Sequence, residues 1–326
     1  MTHSSALSTH NRPEQENFGS EIARAQHELI FGLSQALPRI SPKYFYNNLG
    51  SKLFEAICQT DEYYLTRAES EIFSTHADDI QTAVGTGCTL IDIGAGNCAK
   101  AASLFPVLQP RDYVAVDISV DFLQEAVAGL QAKHPDIPML AVGSDFSEAF
   151  GLPAHVEKQR RVFFYPGSSI GNFTPLEASQ CLRRFRAACA LDGALLIGVD
   201  LVKDPLVLEA AYDDALGITA AFNLNALRHI NTLLLADFDV GKWRHCAHYN
   251  PVQSRMEMHL EAKQAHRVTW PGGARTFVAG ERIHTENSYK FTITGFANML
   301  GQSGFGVTQS WSDAAKSYLV CYAKAL

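Results

Sequence analysis

Several patterns that would settle a protein class at once are missing from these 326 residues. No Cys-x-x-Cys occurs among the seven scattered cysteines, 58, 88, 98, 181, 189, 246 and 321. An odd, dispersed set argues against a disulfide framework and for a reducing, cytoplasmic setting. The twelve histidines contain no His-Glu-x-x-His. One short run, "RHCAHY", places His245, Cys246 and His248 close together, and ordinary packing accounts for it, so no metal is expected. No stretch of 18 apolar residues is present, which excludes a transmembrane helix. Cations are in the minority, 27 Lys and Arg against 34 Asp and Glu, so a broad nucleic-acid surface is not expected. The opening "MTHSSALSTHNRPEQENFGS" lacks a basic segment followed by an apolar one, and residues 1–20 read as a flexible leader rather than a secretory signal. There is no internal repeat.

Apolar residues make up 47% of the chain, enough for a sizeable core. From about residue 85 strands and helices alternate. "TLIDIGAG", "DYVAVDIS", "PMLAVGSDF", "RRVFFYPGSSIGNF" and "GALLIGVDLV" read as strands, with amphipathic helices between most of them. Strands apolar on both faces imply a parallel sheet covered by helices on each side. After residue 200 the pattern changes. Residues 204–235 read as helical, and "RMEMHLEAKQAHRVTW" alternates with period two, as in a half-exposed antiparallel strand. The end reads helix, strand, strand. The expected architecture is therefore α/β, with residues 81–200 and 291–326 forming the sheet domain. Residues 21–80 and 201–290 are expected to form a second, α+β lobe facing the substrate.

The first strand runs into Gly94-Ala95-Gly96, with Ala99 three residues on, and the next strand ends at Asp117, 21 residues after Gly96. That spacing satisfies a permissive dinucleotide fingerprint, so NAD stays open on this feature alone. Asp92 inside the first strand, "GSDF" with Asp145 and Phe146 after the third, and a terminal strand placed to insert antiparallel shift the balance. Together these resemble the seven-stranded class I methyltransferases, which implies S-adenosyl-L-methionine as cofactor. Asp117 would accept the ribose hydroxyls, and Asp145 and Phe146 would meet the adenine. Asp92 would face the ligand's cationic end or only order the loop.

A narrower resemblance covers residues 40–326. "YFYNNLGSKLFEAICQTDEYYLTRAESEIF", "YPGSSIGNFTP", "DLVKD", "AAYDDALGITAAFNLNAL", "MEMHL" and "HTENSYKF" resemble, in order, the histidine-specific Nα-methyltransferases of ergothioneine biosynthesis. The resemblance implies Nα-trimethylation of L-histidine to hercynine. By position it implies that Asn172 and Tyr212 hold the substrate carboxylate, and that Tyr46 and the backbone of Gly167 lie by the amine, with Ser169 in the same turn. Tyr63, Glu286 and Ser288 would surround the imidazole, and Phe54 and Met258 would supply apolar walls. Gly94, Gly96, Lys100, Asp117, Asp145 and Phe146 would bind the cofactor. Ser169 stands where the family often has threonine, and Asn287 and Tyr289 where smaller or apolar residues are common. Three alternatives stay open: a methyltransferase for another aromatic amino acid such as tryptophan, a non-catalytic S-adenosylmethionine sensor or scaffold, and an NAD-dependent oxidoreductase. A monomer acting on a small molecule, without nucleic acid or membrane, is expected.

Overall fold

The computed structural model describes residues 12–146, 150–190 and 192–326, with side chains described from Ile22 onward. Of the expected flexible leader, residues 1–11 lie outside the described residues, whereas residues 12–20 are helical and begin a helix that runs to Leu33. Strands β1 (Thr89–Ile93), β2 (Asp112–Asp117), β3 (Met139–Gly143), β4 (Arg161–Tyr165) and β5 (Ala194–Asp200) are parallel. Strands β6 (Trp243–Asn250), β7 (Arg255–Ala262), β8 (His266–Trp270), β9 (Gly273–Phe277) and β10 (Arg282–Tyr289) follow in the second half, and β11 (Phe305–Ser312) and β12 (Tyr318–Ala325) end the chain.

The main sheet has seven strands in the order β11-β12-β5-β4-β1-β2-β3. The last strand, β12, inserts antiparallel between β5 and β11, as its place in the sequence suggested. Because β1 lies between β2 and β4, the chain reverses its direction of winding there. A ligand crevice opens at the carboxyl ends of strands at such a point. Strands β1, β4 and β5 are buried along their whole length, which is why their sequences show no alternation.

The helices are α1 (Arg12–Leu33), α2 (Asn48–Ile57), α3 (Leu65–Thr75), α4 (Ala77–Val84), α5 (Ala99–Ser103), α6 (Phe105–Leu108), α7 (Val120–Lys133), α8 (Pro175–Ala188), α9 (Pro205–Tyr212), α10 (Ile218–Leu234) and α11 (Ile293–Gln302). Helices α1 and α2 pack on α10, whereas α3 lies against β12 and α4 against α6. The α2–α10 contact has a local cause. Asn47 caps α2 by accepting from the Gly50 backbone at 2.8 Å, and the same oxygen accepts from Asn225 of α10 at 2.9 Å. Gly50 is required there, since a Cβ would stand 1.6 Å from the Phe45 carbonyl.

One expectation needs correction. "RMEMHLEAKQAHRVTW" is two strands, β7 and β8, and β7 is not half-exposed. It is the middle strand of the sheet β10-β7-β6, with Met256, Met258 and Leu260 buried on one face. Ion pairs bury the acids on the other. Glu257 accepts from Arg255 at 2.8 Å, and Glu261 accepts from Arg282 at 2.8 Å and from Arg244. Among the described residues no helix is long and apolar enough to cross a membrane.

Candidate active site

A cavity of about 920 Å³ opens at the carboxyl ends of β1, β2 and β4. Thirteen of the sixteen residues expected at the site line it: Tyr46, Phe54, Tyr63, Gly94, Gly96, Lys100, Asp117, Asp145, Phe146, Gly167, Ser169, Asn172 and Glu286. Beside it lies an inner chamber of about 40 Å³, where Tyr212, Met258 and Ser288 join the wall. The two share Tyr46, Phe54, Tyr63, Gly167, Asn172 and Glu286 among their lining residues, so all sixteen stand in one region of the molecule.

At the outer end, Gly94 and Gly96 have φ of +69° and +52°, and a Cβ at either would meet no atom within 4 Å. Each points at open cavity, so a ligand can lie against bare backbone. The Asp117 carboxylate is fixed by the Gly96 amide at 3.0 Å and the Ser119 amide at 2.9 Å. Asp92 accepts from Tyr113 at 2.8 Å, while its other oxygen is buried without a partner among the described residues. Burial pushes its carboxyl up to about 7, opposed by the Tyr113 hydrogen bond. An orphaned acceptor beside a cationic ligand end suits S-adenosylmethionine better than it suits a pyrophosphate. The Phe146 ring stands edge-on to Tyr165 at 5.6 Å, and Asp145 accepts from Lys43 at 3.2 Å. The residues present thus fit this cofactor.

At the inner end five rings enclose the chamber. Tyr46 meets Phe54 at 5.8 Å, Phe54 meets Tyr63 at 6.1 Å, and Tyr63 meets Tyr212 at 6.4 Å, each edge to face. Phe222 closes the ring 5.5 Å from Tyr46. Burial holds the Tyr46 and Tyr63 hydroxyls well above their ordinary pKa, so both stay protonated. Burial pushes Glu286 up to about 8, opposed by the charge of Lys290. In strand register Glu286 stands opposite Met258.

Three residues behind the wall were not singled out in the sequence. Lys290 is fully buried and donates to Ser288 at 2.9 Å and Tyr212 at 3.0 Å, with Asp200 2.8 Å away. Burial alone would lower its pKa, but the Asp200 carboxylate raises it, and the ammonium persists. Asp200, at the end of β5, also accepts from Tyr64 at 2.7 Å. Glu69 on α3 ties the two ends of the cavity together. It accepts from Lys100 at 2.6 Å, and from the Gly167 amide and Tyr318, each at 2.8 Å. "DLVKD" and "HTENSYKF" hold two of the three, but nothing in linear spacing shows that Lys290 turns inward.

The sheet order, the glycine loop with its fixed acid and the cavity at the winding reversal define a class I S-adenosylmethionine-dependent methyltransferase. The chain belongs to the family of histidine-specific, SAM-dependent methyltransferases, whose model matches residues 25–325. It is 37% identical over 293 residues to the histidine N-alpha-methyltransferase of Mycolicibacterium smegmatis, covering 88% of this chain and 90% of the relative. To the Mycobacterium tuberculosis protein of the same name it is 35% identical over 299 residues, covering 90% and 92%. Ergothioneine biosynthesis protein 1 of Neurospora crassa is 30% identical over 280 residues, which are 82% of this chain and 31% of that protein.

Proposed function

We propose that the protein trimethylates the α-amine of L-histidine, giving hercynine for ergothioneine biosynthesis. The observation that carries the reading is a pair of groups two residues apart on β10. The Ser288 oxygen accepts from both Lys290 and Tyr212, at 2.9 and 2.7 Å. A hydroxyl has one proton, and neither bond uses it, since Lys290 and Tyr212 are both donors, so Ser288 has its proton to offer the chamber. Glu286 beside it offers a carboxyl group. A neutral imidazole has one ring N–H and one bare ring nitrogen, and suits an acceptor next to a donor. An indole has no bare nitrogen and would leave the Ser288 proton unpaired, which weakens the tryptophan alternative.

The remaining roles follow the resemblance. Asn172 holds the substrate carboxylate together with Tyr212, whose hydroxyl proton points at Ser288 and turns to the carboxylate when substrate binds. Tyr46 accepts an amine N–H with its protonated hydroxyl and, with the Gly167 backbone, aims the amine lone pair outward toward the glycine loop. Gly94, Gly96, Lys100, Asp117, Asp145 and Phe146 hold the cofactor, which when bound supplies a methyl group on a sulfonium. Orientation of this kind is worth about 7–11 kcal/mol in the best-aligned cases. The aromatic walls tolerate the quaternary ammonium that accumulates, through cation–π attraction.

The substrate lobe consists of the N-terminal segment and residues 201–290, and the sheet domain of the rest. A monomer in a cytoplasmic setting is part of the same proposal, the setting resting on the odd, dispersed cysteines of the sequence. The test is incubation with labelled cofactor and each of the twenty amino acids, read by mass. Three successive methyl additions to histidine alone are expected. No transfer to any amino acid, with intact cofactor binding, would favour the sensor or scaffold reading.

A further inference from the structure

We propose that His248, Glu257 and His259 form a binding site for a zinc-class transition-metal ion, on the face of the β10-β7-β6 sheet that points away from the substrate chamber. His248 lies opposite Glu257 in the β6–β7 register, and His259 follows Glu257 by two, so all three side chains share one face. The Nε2 atoms of His248 and His259 lie 3.5 and 3.6 Å from the same Glu257 oxygen, Oε2. The three candidate ligand atoms fall within 4.8 Å of one another.

Those separations suit a metal. Zinc binds imidazole nitrogen and carboxylate oxygen at about 2.0–2.2 Å in tetrahedral geometry, which sets ligand atoms about 3.4 Å apart. Two edges are close to that value already. The third closes by turning His248, whose side chain is 40% exposed. The carboxylate is also oriented from behind. Its other oxygen, Oε1, accepts from Arg255 at 2.8 Å and Asn250 at 2.9 Å, which leaves Oε2 directed at the two rings. Metal-bound carboxylates are held in this way by outer partners. The two Nε2 atoms stand at or just past the limit of a hydrogen bond to Oε2, so the three groups converge without closing on one another, and an ion between them would complete the set.

The ligand set also selects the ion. Arg255 offsets the charge of Glu257, so the site offers imidazole nitrogen more than anionic oxygen. That favours zinc, nickel or copper over magnesium or calcium. Met258, between two of the ligands, faces the other way and lines the inner chamber. A bound ion would clamp β6 to β7 directly behind that wall.

The test uses the full-length chain, stripped of metal with a chelator and titrated calorimetrically with zinc chloride, cobalt(II) chloride and magnesium chloride. His248→Ala and Glu257→Gln are compared with the unaltered protein, since other histidines also bind zinc weakly. Neither residue belongs to the candidate active site, so S-adenosylmethionine affinity without zinc checks that each variant is folded. One equivalent of zinc is expected to bind and to raise Tm, with at least tenfold weaker binding in both variants, no magnesium heat, and the visible absorption of four-coordinate cobalt(II). Absence of a one-equivalent zinc isotherm overturns the proposal. So does zinc binding of equal strength in the unaltered protein and both variants, which would place the ion elsewhere.

Discussion

The Lys290 ammonium lies 3.0 Å from the Tyr212 hydroxyl and 4.8 Å from the centre of its ring. A fully buried cation thus stands directly behind the residue expected to hold the substrate carboxylate. Removing it takes away a charge-assisted hydrogen bond, worth about 1.5–3 kcal/mol. Lys290→Met is expected to raise the KM for histidine about ten- to hundredfold while leaving S-adenosylmethionine affinity unchanged. Asp200 keeps Lys203 and Tyr64 as partners, which limits the loss of stability from breaking the buried pair. An unchanged KM, measured by initial rates in the folded variant, would remove Lys290 from the site.

The same site makes a prediction about the substrate itself. If Asn172 and Tyr212 read the carboxylate, histidine should be methylated and histamine should not. In Lys290→Met the preference should shrink, because histidine loses its anchor and histamine had none to lose. Comparable turnover of the two amines by the unaltered enzyme would show that the carboxylate goes unread.

Asp117 is fixed by two backbone amides, which leaves its carboxylate aimed at the cavity beside Gly96. Asp117→Ala should weaken S-adenosylmethionine binding at least tenfold, by about 1.5–3 kcal/mol for a lost charged acceptor. Calorimetry on the folded variant checks it, and an affinity equal to that of the unaltered protein would move the ribose elsewhere.

The strands of the main sheet and the glycine loop were legible because their causes are local. Apolar runs with no alternation mark buried strands, and a turn that bares backbone needs glycine. The contact of α2 with α10 was not read from the sequence, since asparagines 47 and 225 meet only once the two helices are packed. Lys290, Glu69 and Phe222 were not legible. A buried lysine or glutamate looks like a surface residue until its partners arrive from elsewhere in the chain, here β5 for one and β4 and β12 for the other. The face of β7 failed for the same reason, since arginines from neighbouring strands bury acids that alternation assigns to solvent.

Burial pushes the Glu286 carboxyl from its ordinary 4.5 to about 8, against the pull of Lys290. Between those pH values the folded chain keeps a proton that the unfolded chain has released. Stability from this group is present below about 4.5 and is lost as pH rises through 8. Glu286→Gln removes that loss. Its Tm should match the unaltered protein near the bottom of the window and exceed it at the top. Each kcal/mol recovered would appear as about 2–4 °C. Parallel melting curves across that range would contradict the assignment of a strained acid.

Glu286 and Met258 face each other across β10 and β7, and together they set what the inner chamber admits. A site built to hydrogen-bond a polar ring rejects analogues that lack the partner group, by about 10⁴-fold or more in good cases, since its own polar groups are left unpaired. Glu286→Ala should therefore cut histidine turnover steeply without changing cofactor affinity. Adding Met258→Val removes volume from the facing wall in a background from which the acid has already gone. Tryptophan methylation should then rise above that of the unaltered enzyme. Transfer also needs a neutral α-amine, whose pKa is about 8 in the peptide reference, so both activities should rise with pH through that region. Product mass for both amino acids, in the single and double variants, is the measurement. Full histidine activity in Glu286→Ala would mean the imidazole is held by other groups, and the histidine assignment would lose its structural support.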